Sequence, residues 1–121
     1  MATPANLQLL YVSDIQRSTE FYKMLFEAEP VFVSPHYIAF SAGPESFFAL
    51  WSRGPKPNAA TPRFSEVGIM LPSNEDVDQL FEKWKADDRV TVIEAPMTDV
   101  FGRTFVIGDP DGHMIRVCLR D

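Results

Sequence analysis

Glu66 and Arg116 are the two side chains of this 121-residue sequence whose pairing could do chemistry. Glu66 opens one apolar, strand-like segment and Arg116 interrupts another. Side by side, Glu66 could move a proton while Arg116 stabilises an enolate. Arg116 could instead bind a ligand carboxylate. The other candidates are few. There are two histidines, His36 after Ser34-Pro35 and His113 just past a turn, and one cysteine, Cys118. Cys118 falls in an apolar strand pattern, so a buried, inert thiol is expected there. No Ser-His-Asp or Cys-His arrangement can be read along the chain, so no catalytic residue is assigned.

The elements that must position these groups follow from periodicity. Residues 7–12 form an apolar run suited to a strand. Ser13 and Asp14 offer helix caps, and Ile15, Ser18, Tyr22, Leu25 and Phe26 recur at helical spacing. Glu29-Pro30 should stop that helix. Strands are expected at 31–34, 36–41 and 46–51. Pro and Gly mark 53–64 as a linker. The order then repeats. Residues 66–71 read as a strand, Ser73 and Asn74 as helix caps, and Val77, Leu80, Phe81 and Trp84 as a helical stripe. Strands near 90–94, 103–107 and 113–119 follow. A slide of 59 (66 − 7) keeps the order of elements but few of the letters. The expected fold is α+β: two βαβββ modules, about 5–52 and about 65–121, in one domain spanning 1–121.

Composition narrows the partners. Lys+Arg 11 against Asp+Glu 17 gives a net charge of −6, which repels nucleic acid and anionic membranes. One cysteine permits no intrachain disulfide and suits a reducing compartment. With no signal or membrane-spanning run, the cytoplasm is the expected location.

Gly108-Asp109-Pro110-Asp111-Gly112-His113-Met114-Ile115-Arg116-Val117 has strong turn chemistry ahead of a last strand. It also resembles the closing signature of the vicinal-oxygen-chelate superfamily, which includes glyoxalase I, ring-cleaving dioxygenases and bleomycin-resistance proteins. The resemblance implies paired modules whose curved mixed sheets enclose a cleft. It also implies four metal-ligand places, which fall here on Leu7, Ala49, Glu66 and Arg116. Only Glu66 could bind a divalent cation, and a catalytic metal needs at least about three protein ligands. Neither histidine matches a place. No metal and no other cofactor is expected, which disfavours glyoxalase, dioxygenase and metal-dependent thiol transfer to fosfomycin.

Strand alternation anchored at those places turns Phe47, Ala49, Trp51, Glu66, Gly68, Met70, Met114, Arg116 and Cys118 to the cleft. Phe48, Leu50, Val67, Ile69, Ile115 and Val117 should pack under the helices. Val100-Phe101-Gly102-Arg103 resembles the superfamily's aromatic-Gly-Arg segment, whose aromatic often lines the cavity. The segments 6–13, 48–52, 63–72 and 99–105 resemble, more narrowly, phenazine-antibiotic-resistance proteins of this superfamily. That likeness implies a homodimer that sequesters a planar aromatic antibiotic without chemistry. The expected ligand contacts are Trp51, Phe47, Glu66, Met70, Phe101, Arg103, Met114 and Arg116. Two alternatives stand beside this one: a metal-independent lyase or isomerase using Glu66 as base, and a glyoxalase-like metalloenzyme with other ligands.

Overall fold

A computed structural model describes residues 1–121. Ten elements follow one another: β1 (Leu7–Tyr11), α1 (Ile15–Phe26), β2 (Phe32–Val33), β3 (Tyr37–Ser41), β4 (Phe47–Trp51), β5 (Glu66–Leu71), α2 (Asn74–Lys85), β6 (Thr91–Asp99), β7 (Gly102–Gly108) and β8 (Met114–Leu119). They make an α+β fold of two four-stranded mixed sheets, ordered β1-β4-β3-β2 and β5-β8-β7-β6, each with one helix. In each sheet the first strand runs parallel to the last strand of its module, and the other pairs are antiparallel. The chain divides into two compact units, Met1–Pro57 and Asn58–Asp121, with the boundary inside the expected linker.

Both helices start where their caps dictate. The Asp14 side chain accepts from the Arg17 backbone N–H at 3.1 Å, and the Ser73 hydroxyl accepts from the Asp76 N–H at 3.1 Å. Glu75 and Asp76 lie in the first turn of α2, where the helix dipole favours them. Asn74, a second candidate cap, is used elsewhere: its Oδ1 accepts from the Arg103 N–H at 3.0 Å.

Three boundaries depart from the sequence reading. Helix α1 ends at Phe26 rather than at Glu29-Pro30, because Glu27 takes a left-handed conformation (φ 51°) that closes the last turn. Strand β2 has only two residues instead of four. Strand β6 extends to Asp99 and includes Pro96, which a sheet centre would not accept. It does so as an edge strand, with register shifts between Val92 and Glu94 and between Glu94 and Met97.

The helix-covered faces form the two cores. In module one, Tyr22 of α1 packs on Phe48 with ring centroids 4.8 Å apart, and Phe26 packs edge-on against Phe40 and Phe48. Ile38, Phe40, Phe48 and Leu50 are buried beneath. In module two, Phe81 and Trp84 of α2 meet Phe105 edge-on at 5.2 and 5.8 Å, over buried Val67, Ile107, Ile115 and Val117. Trp84 thus belongs to the helix–sheet core, as its stripe predicts. Phe105 is fully buried between both rings, so Phe105→Ala should cost about 3–5 kcal/mol. A urea titration followed by circular dichroism checks this, and a loss under about 1 kcal/mol would mean the cluster collapses to fill the space.

Candidate functional site

One helix covers one face of each sheet, so the alternate side chains of every strand stand on the other face. In module one, the register sets these side chains in three rows: Leu7, Phe47 and Ser41; Leu9, Ala49, Ala39 and Phe32; Tyr11, Trp51 and Tyr37. Leu7, Leu9, Tyr11, Phe32 and Phe47 are exposed and Trp51 is half-buried. The central alanines keep the floor low, ringed by larger apolar groups. This is an uncovered aromatic surface on a four-stranded sheet.

The position of Trp51 is fixed on several sides. Its ring lies 5.9 Å from that of Tyr11, inclined by 55°. Gly54 lies against one edge of the Tyr11 ring, where a Cβ would come within 2.6 Å of it, so a larger residue there would push the ring aside. The Val12 N–H donates to the Trp51 carbonyl at 3.0 Å. Just beyond, the Ser52 N–H donates to the His36 carbonyl, and His36 Nδ1 is 3.1 Å from the Ser52 hydroxyl. His36 therefore pins the strand that carries Trp51. Tyr11 and Tyr37, which share the Trp51 row, were not selected from the sequence; extending the alternation of residues 7–12 and 36–41 across the sheet would have found them.

In module two, the corresponding rows bring together Glu66 and Met114, Gly68 and Arg116, and Met70 and Cys118. Val106 and Thr104 continue the last two rows on β7, and Glu94 and Met97 on β6. Glu66 and Arg116 form a two-pronged pair: Nε donates to Oε1 at 2.7 Å and Nη2 donates to Oε2 at 3.1 Å. Nη1 donates to the Thr104 hydroxyl at 3.0 Å and lies 3.7 Å from a Glu94 carboxylate oxygen. Thr104 in turn donates to the Val117 carbonyl at 2.9 Å, which fixes its orientation. The hydrogen bonds that Arg116 donates to Glu66 push its pKa above its already high value, and the charges of Glu66 and Glu94 add to this. Two carboxylates face one guanidinium, leaving one negative charge in excess.

Of the residues selected from the sequence, Glu66, Met70, Met114 and Arg116 share this face, with Met70 half exposed. Phe47 and Trp51 share the module-one face. Arg103 does not join Arg116. It reaches α2, where Nε and Nη2 approach Asp78 Oδ1 at 3.0 and 2.9 Å. Phe101 stands with Val100 in the two-residue turn between β6 and β7, half exposed, ahead of Gly102 at φ 107°. Cys118 is half-buried on the Arg116 face, not sealed in the core. His113 serves the Asp109-Pro110-Asp111-Gly112 turn: its N–H and that of Asp111 donate to Asp109 Oδ1 at 2.8 and 2.9 Å. Glu94 and Thr104 were missed. The bulges in β6 hide the phase of Glu94, and Thr104 carries no signal until β7 is set in register with β8.

The superfamily's metal-ligand places do not fit a metal here. Leu7 and Ala49 have no donor atom, Arg116 is a cation, and both Glu66 oxygens accept from it. No group of three or more His, Cys, Asp or Glu side chains is placed to hold one. Protein purified without chelator should therefore show no stoichiometric transition metal by elemental analysis after dialysis. One metal per chain surviving dialysis would require a different donor set.

The profile of the Glyoxalase/Bleomycin resistance protein/Dioxygenase superfamily matches residues 5–117. The phenazine antibiotic resistance protein EhpR of Enterobacter agglomerans is 58% identical over 118 residues, covering 96% of this chain and 92% of its own. An Agrobacterium tumefaciens protein solved in solution superposes with a TM-score of 0.82 at 31% identity, over 100% of this chain and 99% of its own. A manganese-bound fosfomycin resistance protein of Listeria monocytogenes superposes at 0.77 with 19% identity, over 100% and 92%, a likeness of fold alone. The sequence match over nearly the whole chain and the paired βαβββ modules place this chain in the Glyoxalase/Bleomycin resistance protein/Dioxygenase superfamily.

Proposed function

We propose that this protein confers antibiotic resistance by binding a planar aromatic, phenazine-like compound and withholding it from its targets in the cytoplasm, without altering it. The observation that carries this reading is the uncovered module-one face, where Trp51 stands beside Tyr11 on a floor of two alanines. A flat polycyclic molecule gains most from such a surface, by ring stacking and by loss of apolar area from water. Leu7, Leu9, Tyr11, Phe32 and Phe47 are all exposed on this one face, and apolar side chains exposed together rather than singly favour a binding site. The 58% identity to a phenazine antibiotic resistance protein supports the same ligand class.

The metal-independent enzyme reading has less support. Glu66 would act as base only with an oxygen that already accepts from Arg116, and Arg116 would stabilise an enolate only with donors already engaged. A compound recovered unchanged after long incubation with the protein supports sequestration; stoichiometric release of a product would overturn it.

Binding of a planar aromatic should quench tryptophan fluorescence through Trp51, because Trp84 is buried in the helix–sheet core. Trp51→Ala should weaken binding by about 1–3 kcal/mol, roughly 5- to 150-fold in Kd, and Trp51→Phe should keep part of the affinity. An unchanged Kd in folded Trp51→Ala protein would show that the ligand does not use this face. The protein should also behave as a homodimer, as the resemblance to phenazine-antibiotic-resistance proteins implies and as two-fold pairing, the commonest symmetry of soluble oligomers, allows. Light scattering at micromolar concentration, with and without ligand, checks this, and a 13.7 kDa species in both would count against it.

A further inference from the structure

Gly68 stands beside Arg116 on the open face of module two, its register partner across β5 and β8. A Cβ built at Gly68 meets no atom within 4 Å, and its backbone φ lies outside the range reserved for glycine. Neither close packing nor conformation therefore asks for glycine here. Glycine in a strand interior is a net loss to stability, since it packs nothing and gives up the most chain entropy. Every other open-face position of β5 and β8 carries a side chain larger than a methyl group: Glu66, Met70, Met114, Arg116 and Cys118. The bare position is in register with Arg116, with open space of at least 4 Å around its missing Cβ.

That guanidinium is already engaged around its rim. Glu66 fills the Nε–Nη2 edge, and Nη1 is drawn to Thr104 and Glu94. An incoming carboxylate would have to displace Glu66 and would meet Glu94 as well, two like charges close by. The two side chains keep about a third of their exposure, and with the rim engaged it is the flat face of the pair that is left to offer a ligand. A guanidinium is planar by its own delocalisation, and held in place by a two-pronged partner it stacks well on an aromatic ring.

Resting on the aromatic-binding reading above, we infer that Gly68 and the Arg116–Glu66 pair form a flat seat for an aromatic ring, one that accepts uncharged or cationic rings and rejects a carboxylate at this point. Gly68 is the specificity position, because any side chain there would occupy the space the ring takes. Arg116 is the platform, and Glu66 and Glu94 set the sign of the field.

The test uses two probes, phenazine and phenazine-1-carboxylate, titrated into the full chain at neutral pH by fluorescence quenching and calorimetry. Wild-type protein should bind the neutral ring about tenfold more tightly than the carboxylate. Glu66→Gln removes one negative charge and frees part of the Arg116 edge, so it should close that gap. Gly68→Val should fold with an unchanged or higher melting temperature, since valine suits a strand and the space is open. It should still weaken both probes by about tenfold or more. Gly68→Ala, whose Cβ meets nothing, is read the same way if the valine variant does not fold. Equal or tighter binding of the carboxylate by wild-type protein overturns the seat, as does wild-type affinity for both probes in a folded Gly68 variant. In either case the aromatic-binding function stands. If wild-type protein binds neither probe, that function itself fails.

Discussion

One helix can cover only one face of a four-stranded sheet, and the period of two along a strand gives every side chain a face without choice. Half of the strand residues in each module must therefore live without a helix over them. The covered halves obey the usual rule: Phe40, Phe48, Leu50, Phe105, Ile115 and Val117 are all buried. The uncovered halves do not become polar, as a solvated antiparallel sheet would. Module one exposes leucines and aromatics, and module two exposes methionines around an ion pair. Each such side chain forgoes about 25 cal/mol per Å² of the burial it could have had. A face kept apolar at that cost is shaped by something other than folding.

The Glu66–Arg116 pair shows the same separation of stability from role. Its side chains keep 32% and 27% of their exposure, so the pair contributes on the order of 1 kcal/mol or less to stability. What it does determine is where the guanidinium lies and which of its donors are free. Thr104 completes that control, holding Nη1 while its own hydroxyl is anchored on the Val117 carbonyl. A small energetic term thus sets the chemistry of the whole open face.

Much of this was legible in the sequence, for a physical reason. Alternation has a period of two and needs only one anchor, so placing Arg116 on the open face fixed the side of Met114 and Cys118, and placing Ala49 fixed Phe47 and Trp51. The cap residues Asp14 and Ser73 were legible because side-chain acceptors at helix starts are strongly preferred. What was not legible depended on contacts across the fold. Arg103 looked like a site residue by local pattern, yet its partner Asp78 stands 25 positions away on α2. Glu94 was hidden because two register shifts in β6 break the alternation that would have placed it. The left-handed Glu27 ended α1 before the proline that the sequence made conspicuous.

The weak letter-by-letter match between the halves also has a structural explanation. Leu7 pairs with Phe47 at the start of β1 and β4, as Glu66 pairs with Met114 at the start of β5 and β8. The first strands are offset by 59 residues (66 − 7) but the last by 67 (114 − 47), because the β6–β7 hairpin is longer than its module-one counterpart. No single slide can align both ends. Set in register instead, the third residues correspond: Leu9 with Gly68, and Ala49 with Arg116. Each row holds one large and one small side chain, in opposite order. Module one puts the bulk on its edge strand and a methyl group on the inner one; module two puts a guanidinium on the inner strand and leaves the edge bare. The backbone plan is the same in both, and the exchange of one large residue for one small one turns a hydrophobic floor into a charged platform.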